Sequence, residues 1–212
     1  MLSRKQDYDG ALKAYLKVLE LDSKNDAARE AVTALFIDQG KLTDALNVVQ
    51  RALKFNPQNP RANFLLGVVY MAQGNRSEGL TALNRAAQLD PSNAKIQVQL
   101  GKALQLTGNA DRAITTFQRA AQLDTKLLEA HLGLGDVRLQ QQDYAQAITA
   151  FQEALRLDDK NAYAYEQIGM ANKGKDRKRD AIDALKKALD LYKQQNNAGA
   201  ITRVEMVING LK

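Results

Sequence analysis

Residues 60–93 read PRANFLLGVVYMAQGNRSEGLTALNRAAQLDPSN, and this stretch predicts two α-helices joined by a short turn. Pro60 suits the first position of a helix, where no backbone N–H donor is needed. Gly74 is typical of the residue that follows a helix, so the first helix is expected to end there. Asp90 ends the second helix because a residue that precedes proline is disfavoured in the α conformation. The stretch is therefore predicted to be one helical hairpin.

The features of this hairpin recur every 34 residues along the chain. The same place in the inter-helix turn is occupied in successive copies by Gly40, Gly74, Gly108 and Gln142. One position of the first helix is glycine in four copies of the repeat, at Gly67, Gly101, Gly135 and Gly169. Three columns of the second helix are small or apolar: Ala11, Ala45, Gly79, Ala113, Ala147 and Ala181; Tyr15, Val49, Leu83, Phe117, Phe151 and Leu185; Val18, Ala52, Ala86, Ala120, Ala154 and Ala188. Independent columns in phase identify a repeat array, in which each hairpin buries its apolar face against its neighbours.

The repeat resembles the tetratricopeptide repeat. The first helix carries the pair Leu66-Gly67 and an aromatic residue three positions on, at Tyr70. The second helix carries alanine and a large apolar residue and closes with Asp90-Pro91. The resemblance implies an all-α fold, a right-handed α-α superhelix, or solenoid, of stacked helix-turn-helix repeats. The family's first-helix tryptophan is absent, and its position holds Arg29, Asn63, Gln97, His131 and Tyr165.

The 34-residue frame predicts a single array over residues 1–212. Its full repeats are 26–59, 60–93, 94–127, 128–161 and 162–195, with a partial repeat at 1–25 and a C-terminal capping helix at 196–212. The partial repeat is expected to hold only a second helix, over residues 8–21, whose apolar face would meet water. We therefore expect a helix, repeat or membrane anchor to precede it; the alternative is a natural start, with the half unit acting as a cap. The alternative for residues 196–212 is an amphipathic helix that binds a partner.

The composition limits the classes of function. The 212 residues carry a formal net charge of +6 and the pI is near 9.4, a modest excess that favours acidic partners. The chain has no cysteine, which rules out disulfides and cysteine-based metal sites. No run of about 18 apolar residues is present, so no membrane-spanning helix is predicted. We expect a cytoplasmic protein, or one associated with a membrane through an N-terminal segment.

Catalytic and cofactor sites are not predicted. His131 is the single histidine, and its column usually holds a large packing residue. No Ser/His/Asp set, histidine-glutamate metal spacing or phosphate-binding glycine loop can be assembled from the sequence. We therefore expect a protein that is not an enzyme and that has no cofactor and no metal.

A concave groove lined by the first helices is what the resemblance implies, with places two, five, six, nine, twelve and thirteen of each unit facing it. The predicted peptide-binding residues at these places are Phe64, Val68, Met71, Lys95, Val98, Gln99, Lys102, Gln105, Leu132, Asp136 and Leu139. The strip is apolar at one end and basic to polar in the middle, which suits an amphipathic helix or extended peptide with some acidic character. The alternative for Phe64 and Leu65 is burial in the core, whereas Lys95 and Lys102 are expected to be exposed.

One subtype of groove can be tested from the sequence. Members of the family that bind chaperone tails hold a C-terminal carboxylate with lysine at place five and asparagine at place nine. Place five here holds Glu30, Phe64, Val98, Leu132 and Glu166. Recognition of Hsp70 or Hsp90 tails is therefore not expected.

The densest charge in the chain lies in the turn of the last full repeat. A candidate patch for an anionic partner, either lipid or an acidic protein surface, consists of Lys175, Arg177, Lys178 and Arg179. The alternative, which we favour, is a solvated turn and helix face whose charge is partly offset by Asp176, Asp180 and Asp183.

The sequence thus predicts a protein–protein interaction scaffold that binds a peptide or helical segment of a partner in complex assembly. One alternative is the tetratricopeptide module of a longer, membrane-anchored assembly or maturation factor, with the membrane nearby. Another is self-association into a homo-oligomer through the uncovered N-terminal helix. A nucleic-acid partner is not expected, because RNA readout needs recurring polar or stacking residues at fixed groove places.

Overall fold

The computed structural model describes residues 2–211, with side chains described from residue 8 onward. The described residues form twelve α-helices and no strands, which confirms the predicted all-α solenoid class of stacked helical repeats. The helices are α1 (Leu2–Leu21), α2 (Asp26–Asp38), α3 (Leu42–Phe55), α4 (Pro60–Ala72), α5 (Arg76–Leu89), α6 (Ala94–Leu106), α7 (Ala110–Leu123), α8 (Leu128–Gln140), α9 (Tyr144–Leu157), α10 (Ala162–Gly174), α11 (Lys178–Gln194) and α12 (Ala198–Leu211). None of these helices is both long and apolar enough to cross a membrane.

The helices fall into two compact units, Met1–Thr107 and Gly108–Lys212. Within each unit every helix packs against the next one in the chain. The first helices of successive hairpins also contact one another, α2 with α4, α4 with α6, and α8 with α10. The first helices therefore form a continuous layer within each unit.

The turns between the helices of each hairpin need a left-handed residue. Gly40, Gly74 and Gly108 have φ values of 71°, 81° and 78°. The same place in the next two hairpins also has positive φ, at Gln142 (61°) and Asp176 (57°). The backbone requirement therefore persists where glycine does not, at a conformational cost that glycine would avoid.

The recurring spacing of large and small residues explains how closely the two helices of a hairpin approach each other. A Cβ atom added to Gly67 would lie 2.5 Å from Cγ of Leu83. Cβ atoms added to Gly135 and Gly169 would meet Phe151 and Leu185, each at 2.6 Å. The large second-helix side chain thus occupies the space that a first-helix side chain would fill, which offsets the low helix propensity of glycine.

The N-terminal helix is longer than predicted. It begins at Leu2 instead of residue 8. Gln6 stands where later repeats have the left-handed turn residue, and Arg4, Lys5 and Gln6 all favour helix, so the sequence gives no signal that interrupts it.

Candidate peptide-binding groove

The apolar part of the predicted groove lies on α4. Phe64, Val68 and Met71 are half-buried, whereas Leu65 and Val69 on a neighbouring side of the helix are buried in the core. Of the two candidates for burial, Leu65 is therefore in the core and Phe64 remains accessible. The three half-buried side chains are four and three residues apart, which places them on one face of the helix over about two turns, and the side chain of Met71 also lies against Gly79 of α5.

The basic part lies on α6, which contacts α4. Lys95 and Lys102 are exposed and Gln99 between them is half-buried, as is Gln105 at the end of the helix. Seven residues separate the two lysines, so their Cα atoms are about 10.5 Å apart along the helix axis. Two stripes with the same residue spacing, one apolar and one basic, therefore lie on neighbouring helices of the first unit.

Val98, on the same helix, is buried. Its side chain is 4% exposed and belongs to the core, not to an open surface. A charge at this position would test folding, so a useful binding variant must use the lysine stripe instead.

A cleft of about 470 Å³ lies at one end of these stripes. Phe64 and Ile96 form apolar walls, and the charged residues of the lining are Lys95, Arg61, Glu30 and Asp90. Arg61 is ion-paired with Glu30 on α2, whereas Lys95 forms no ion pair with a carboxylate among the described residues. The cleft can accept an apolar side chain beside an acidic one.

The second unit carries its predicted groove residues on α8. Leu132, Asp136 and Leu139 are half-buried, and so is His131. The Tyr163 hydroxyl donates a hydrogen bond of 2.7 Å to Oδ1 of Asp136. Burial, followed by the Asp136 carboxylate, raises the pKa of Tyr163 above its ordinary value, which keeps the phenol protonated. Asp136 is therefore held by the fold through α10.

The basic turn is open to solvent. Arg177, Lys178 and Arg179 are exposed and Lys175 is half-buried. The backbone N–H of Arg177 donates to the carbonyl of Asn172 at 2.9 Å, and that of Lys175 to Ala171 at 3.1 Å. The backbone of the turn is thus fixed by the helix end, while Arg177 and Arg179 are exposed.

One polar cluster was missed by the sequence analysis. Glu166, 5% exposed, accepts hydrogen bonds from the Tyr192 hydroxyl at 2.8 Å and from Nε and Nη2 of Arg203 at 2.7 and 2.9 Å. Burial raises the pKa of Glu166, but the bonds from Arg203 and Tyr192 outweigh it, so the pKa lies below its ordinary value. The 34-residue period carries no signal of this cluster, because Arg203 lies beyond the last full repeat.

These stacked 34-residue hairpins, with glycine against a large second-helix residue and a layer of first helices, define a tetratricopeptide-repeat protein. The chain belongs to the family described as the cytochrome c-type biogenesis protein H TPR domain, whose profile matches residues 38–165. The general tetratricopeptide repeat profile matches residues 1–25 and 162–195. No curated protein matches the chain in sequence.

Solved structures share the fold. MamA is 26% identical, with a TM-score of 0.71, over 78% of this chain and 97% of MamA. YrrB, described as a TPR protein with an unusual peptide-binding site, is 20% identical with a TM-score of 0.68, over 92% of this chain and 99% of YrrB. The APC/C hetero-tetramer Cut9-Hcn1 is 22% identical with a TM-score of 0.75, over 96% of this chain and 41% of that chain. Tetratricopeptide scaffolds of this kind are interaction proteins and are generally non-enzymatic.

Proposed function

We propose that the protein is a non-enzymatic scaffold that binds a helical segment of a partner protein on the groove face of its first helices, during assembly or maturation of a complex. The observation that carries this proposal is the pair of matched stripes in the first unit. Phe64, Val68 and Met71 on α4 offer an apolar strip, and Lys95 and Lys102 on α6 offer cations beside it.

The chemistry of the partner follows from the spacing of the stripes. An amphipathic helix presents its own apolar stripe at intervals of three and four residues, which matches that of α4. Acidic residues seven positions apart on the flank of that helix would lie about 10.5 Å apart, as Lys95 and Lys102 do. An amphipathic helix with an acidic flank therefore fits the first unit.

The comparisons support a role in maturation. The family is named for cytochrome c-type biogenesis, and the similar structures include one described by its peptide-binding site and one described as a hetero-tetramer. Since the repeat period is unbroken from residue 26 to 195, we propose that residues 1–212 act as a single array with the repeat bounds given above.

Charge reversal tests the groove. The probe is a 20-residue amphipathic peptide with glutamates seven positions apart beside a leucine stripe, with its binding followed by fluorescence anisotropy at low salt. We expect Lys95→Glu combined with Lys102→Glu to weaken binding at least tenfold, because two attractive contacts become repulsive. Lys126→Glu combined with Lys160→Glu changes the net charge equally at exposed loop positions and serves as the control. Equal affinities for both double variants would overturn the proposal.

The alternative function is that of a module of a longer, membrane-anchored factor, with the basic turn near an anionic surface. The exposure of Arg177, Lys178 and Arg179 favours it. Sedimentation with phosphatidylcholine vesicles, with and without phosphatidylserine, measures this binding. If the turn contacts lipid, Lys175→Gln, Arg177→Gln, Lys178→Gln and Arg179→Gln together will abolish a salt-sensitive preference for phosphatidylserine. The same binding by variant and wild type would exclude the patch.

A further inference from the structure

A cleft of about 390 Å³ lies where α1, α2 and α3 meet. The apolar part of its lining consists of Leu16, Leu19, Val48, Ala52 and Phe55. A second cleft, of about 580 Å³, adjoins it and shares Ser23, Arg29, Ala52 and Phe55 with it. The second cleft is mainly polar, and its lining is completed by Lys24, Asp26, Asn56 and Asn59. The two clefts together form an elongated site, the α1–α3 cleft, with an apolar end and a polar end.

Three residues of the apolar end depart from the 34-residue pattern. Leu16 stands in a column that is otherwise polar: Gln50, Asn84, Gln118, Gln152 and Lys186. Val48 is larger than the other residues of its column: Ala14, Ala82, Thr116, Ala150 and Ala184. Phe55, 84% exposed, is the aromatic residue in a column of leucines: Leu21, Leu89, Leu123, Leu157 and Leu191. The packing that the other hairpins share therefore does not require this apolar lining.

A first helix paired with α1 would not fill the α1–α3 cleft. Asn63 stands at the place of Arg29 in the next hairpin, and it lines a cleft on the corresponding side. Among the described residues, only those of α4 and α5 line that cleft, and α2, the first helix of the hairpin before, contributes none. The α1–α3 cleft is thus a feature of the helices that line it.

The charges of the α1–α3 cleft favour an anionic ligand. Both carboxylates of the lining, Glu20 and Asp26, are ion-paired within the protein. Arg51 at the apolar end and Lys24 at the polar end are exposed, and neither forms an ion pair among the described residues. An anionic group bound beside either cation would gain a charge-assisted contact.

We propose that the α1–α3 cleft binds a single amphiphile molecule that has a linear aliphatic chain and an anionic head group. The chain lies against Leu16, Val48 and Phe55, and the head group lies at Arg51 or Lys24. The volume of the apolar end is within the range of small-molecule sites, about 300–1,000 Å³. This site is separate from the groove of the proposed function, which lies on α4 and α6.

The walls of the apolar end favour an aliphatic chain over a peptide. They belong to helices, whose backbone N–H and C=O groups bond within the helix, and Leu16, Leu19 and Val48 offer no donor or acceptor. An extended peptide would bury amide groups without partners there, whereas an aliphatic chain buries only carbon and hydrogen. A partner helix, about 10–12 Å across, does not fit inside a cleft of this volume.

Calorimetric titration of the full chain tests the proposal. The probe is decanoate, used below the concentration at which it forms micelles, and acetate provides the same head group without the chain. We expect saturable binding of decanoate and no binding of acetate, because burial of the chain supplies the free energy of binding.

Two variants locate the chain. Phe55→Ala removes an exposed ring, and Leu16→Gln introduces the residue that is commonest in its column, so both should leave the fold intact. Each should weaken decanoate binding at least fivefold, because an apolar wall is lost. Leu123→Ala, in the column of Phe55, serves as the control and should leave binding unchanged. Circular dichroism checks the fold of all three variants.

A charge-neutralising pair locates the head group. Lys24→Gln combined with Arg51→Gln should weaken decanoate binding at least threefold. Lys126→Gln combined with Arg85→Gln removes the same charge away from the α1–α3 cleft and should have no effect. Binding should also be unchanged in the Lys95→Glu, Lys102→Glu protein, which separates this site from the groove.

Three results would overturn the proposal. The first is the absence of saturable decanoate binding to the wild-type protein. The second is equal affinity of the Phe55→Ala and Leu123→Ala proteins for decanoate, because the chain would then lie outside this cleft. The third is binding of a peptide of alternating leucine and glutamate, or of phosphatidylserine vesicles, that Phe55→Ala abolishes while decanoate does not compete, because a protein or a membrane would then be the ligand.

Discussion

At the scale of the residue, the left-handed turn position shows that the repeat tolerates a residue other than glycine at positive φ. Five hairpins place this residue at positive φ, and Gln142 adopts φ of 61° without the freedom of glycine or the local hydrogen bonding of aspartate. The sequence predicted the turn from its glycines. The equivalent role of Asp176 was not predicted, because no glycine stands at this place to mark it.

Replacing Gln142 by glycine should stabilise the protein. We expect Gln142→Gly to raise the free energy of unfolding by about 0.5–1 kcal/mol, because the backbone strain disappears. Urea denaturation measures the change. Gln195, also exposed but with φ of −82°, provides the control, and Gln195→Gly should destabilise the chain slightly. Destabilisation by Gln142→Gly would contradict the assignment of strain.

Replacing two helical glycines by alanine should change the free energy of unfolding in opposite directions. A Cβ atom at Gly169 would lie 2.6 Å from Leu185, so Gly169→Ala should cost about 1–3 kcal/mol by overpacking. Gly10 has no atom within 4 Å of an added Cβ, so Gly10→Ala should stabilise α1 by about 0.5–1 kcal/mol. Thermal unfolding of the two variants compares them directly. Stabilisation by Gly169→Ala would show that the glycine contact does not limit the approach of the helices.

At the scale of the element, α12 is held by more than its apolar face. The sequence predicted the amphipathic helix, and Val204 and Ile208 are buried against α11 as expected. The contact between α12 and the buried Glu166 was not predicted, because a glutamate at a groove place is expected to be exposed. Only the fold brings Arg203 within reach of Glu166.

Removing the guanidinium should loosen the last helix. We expect Arg203→Ala to lower the free energy of unfolding by about 1.5–3 kcal/mol, because the buried Glu166 loses two charge-assisted hydrogen bonds. The control is Lys193→Ala, which breaks an exposed 3.8 Å contact with Glu205 between α11 and α12 and should cost well under about 1 kcal/mol. Equal losses in the two variants would show that Glu166 is not specifically supported by Arg203.

The same cluster predicts a dependence on pH. Because the pKa of Glu166 is lowered in the folded protein, its ionised form contributes stability above its ordinary pKa of 4.5. That contribution is lost as the pH falls through the lower, folded value. The stability difference between wild type and Glu166→Gln, from urea denaturation at several pH values, should therefore shrink below pH 4.5. If this stability difference grew on acidification, the assignment of a lowered pKa to Glu166 would be contradicted.

At the scale of the whole molecule, the repeat period predicted the fold class and most helix ends but less of the binding surface. Of the groove places carried over from the family, Lys95 and Lys102 are exposed, as expected, whereas Val98 is buried; that these places bind a partner stays a prediction. A period fixes which face a residue shares with its equivalents. It does not fix how closely neighbouring helices cover that face, which depends on the size of the side chains around it.

Hydrogen exchange tests the groove most directly. The chain is mixed with a saturating amount of the acidic amphipathic peptide, and amide exchange is followed by mass spectrometry across the first unit. We predict slower exchange in α4 and α6, which carry the two stripes, and unchanged exchange in α3 and α5. Protection confined to α3 and α5, with α4 and α6 unaffected, would contradict binding on the first helices.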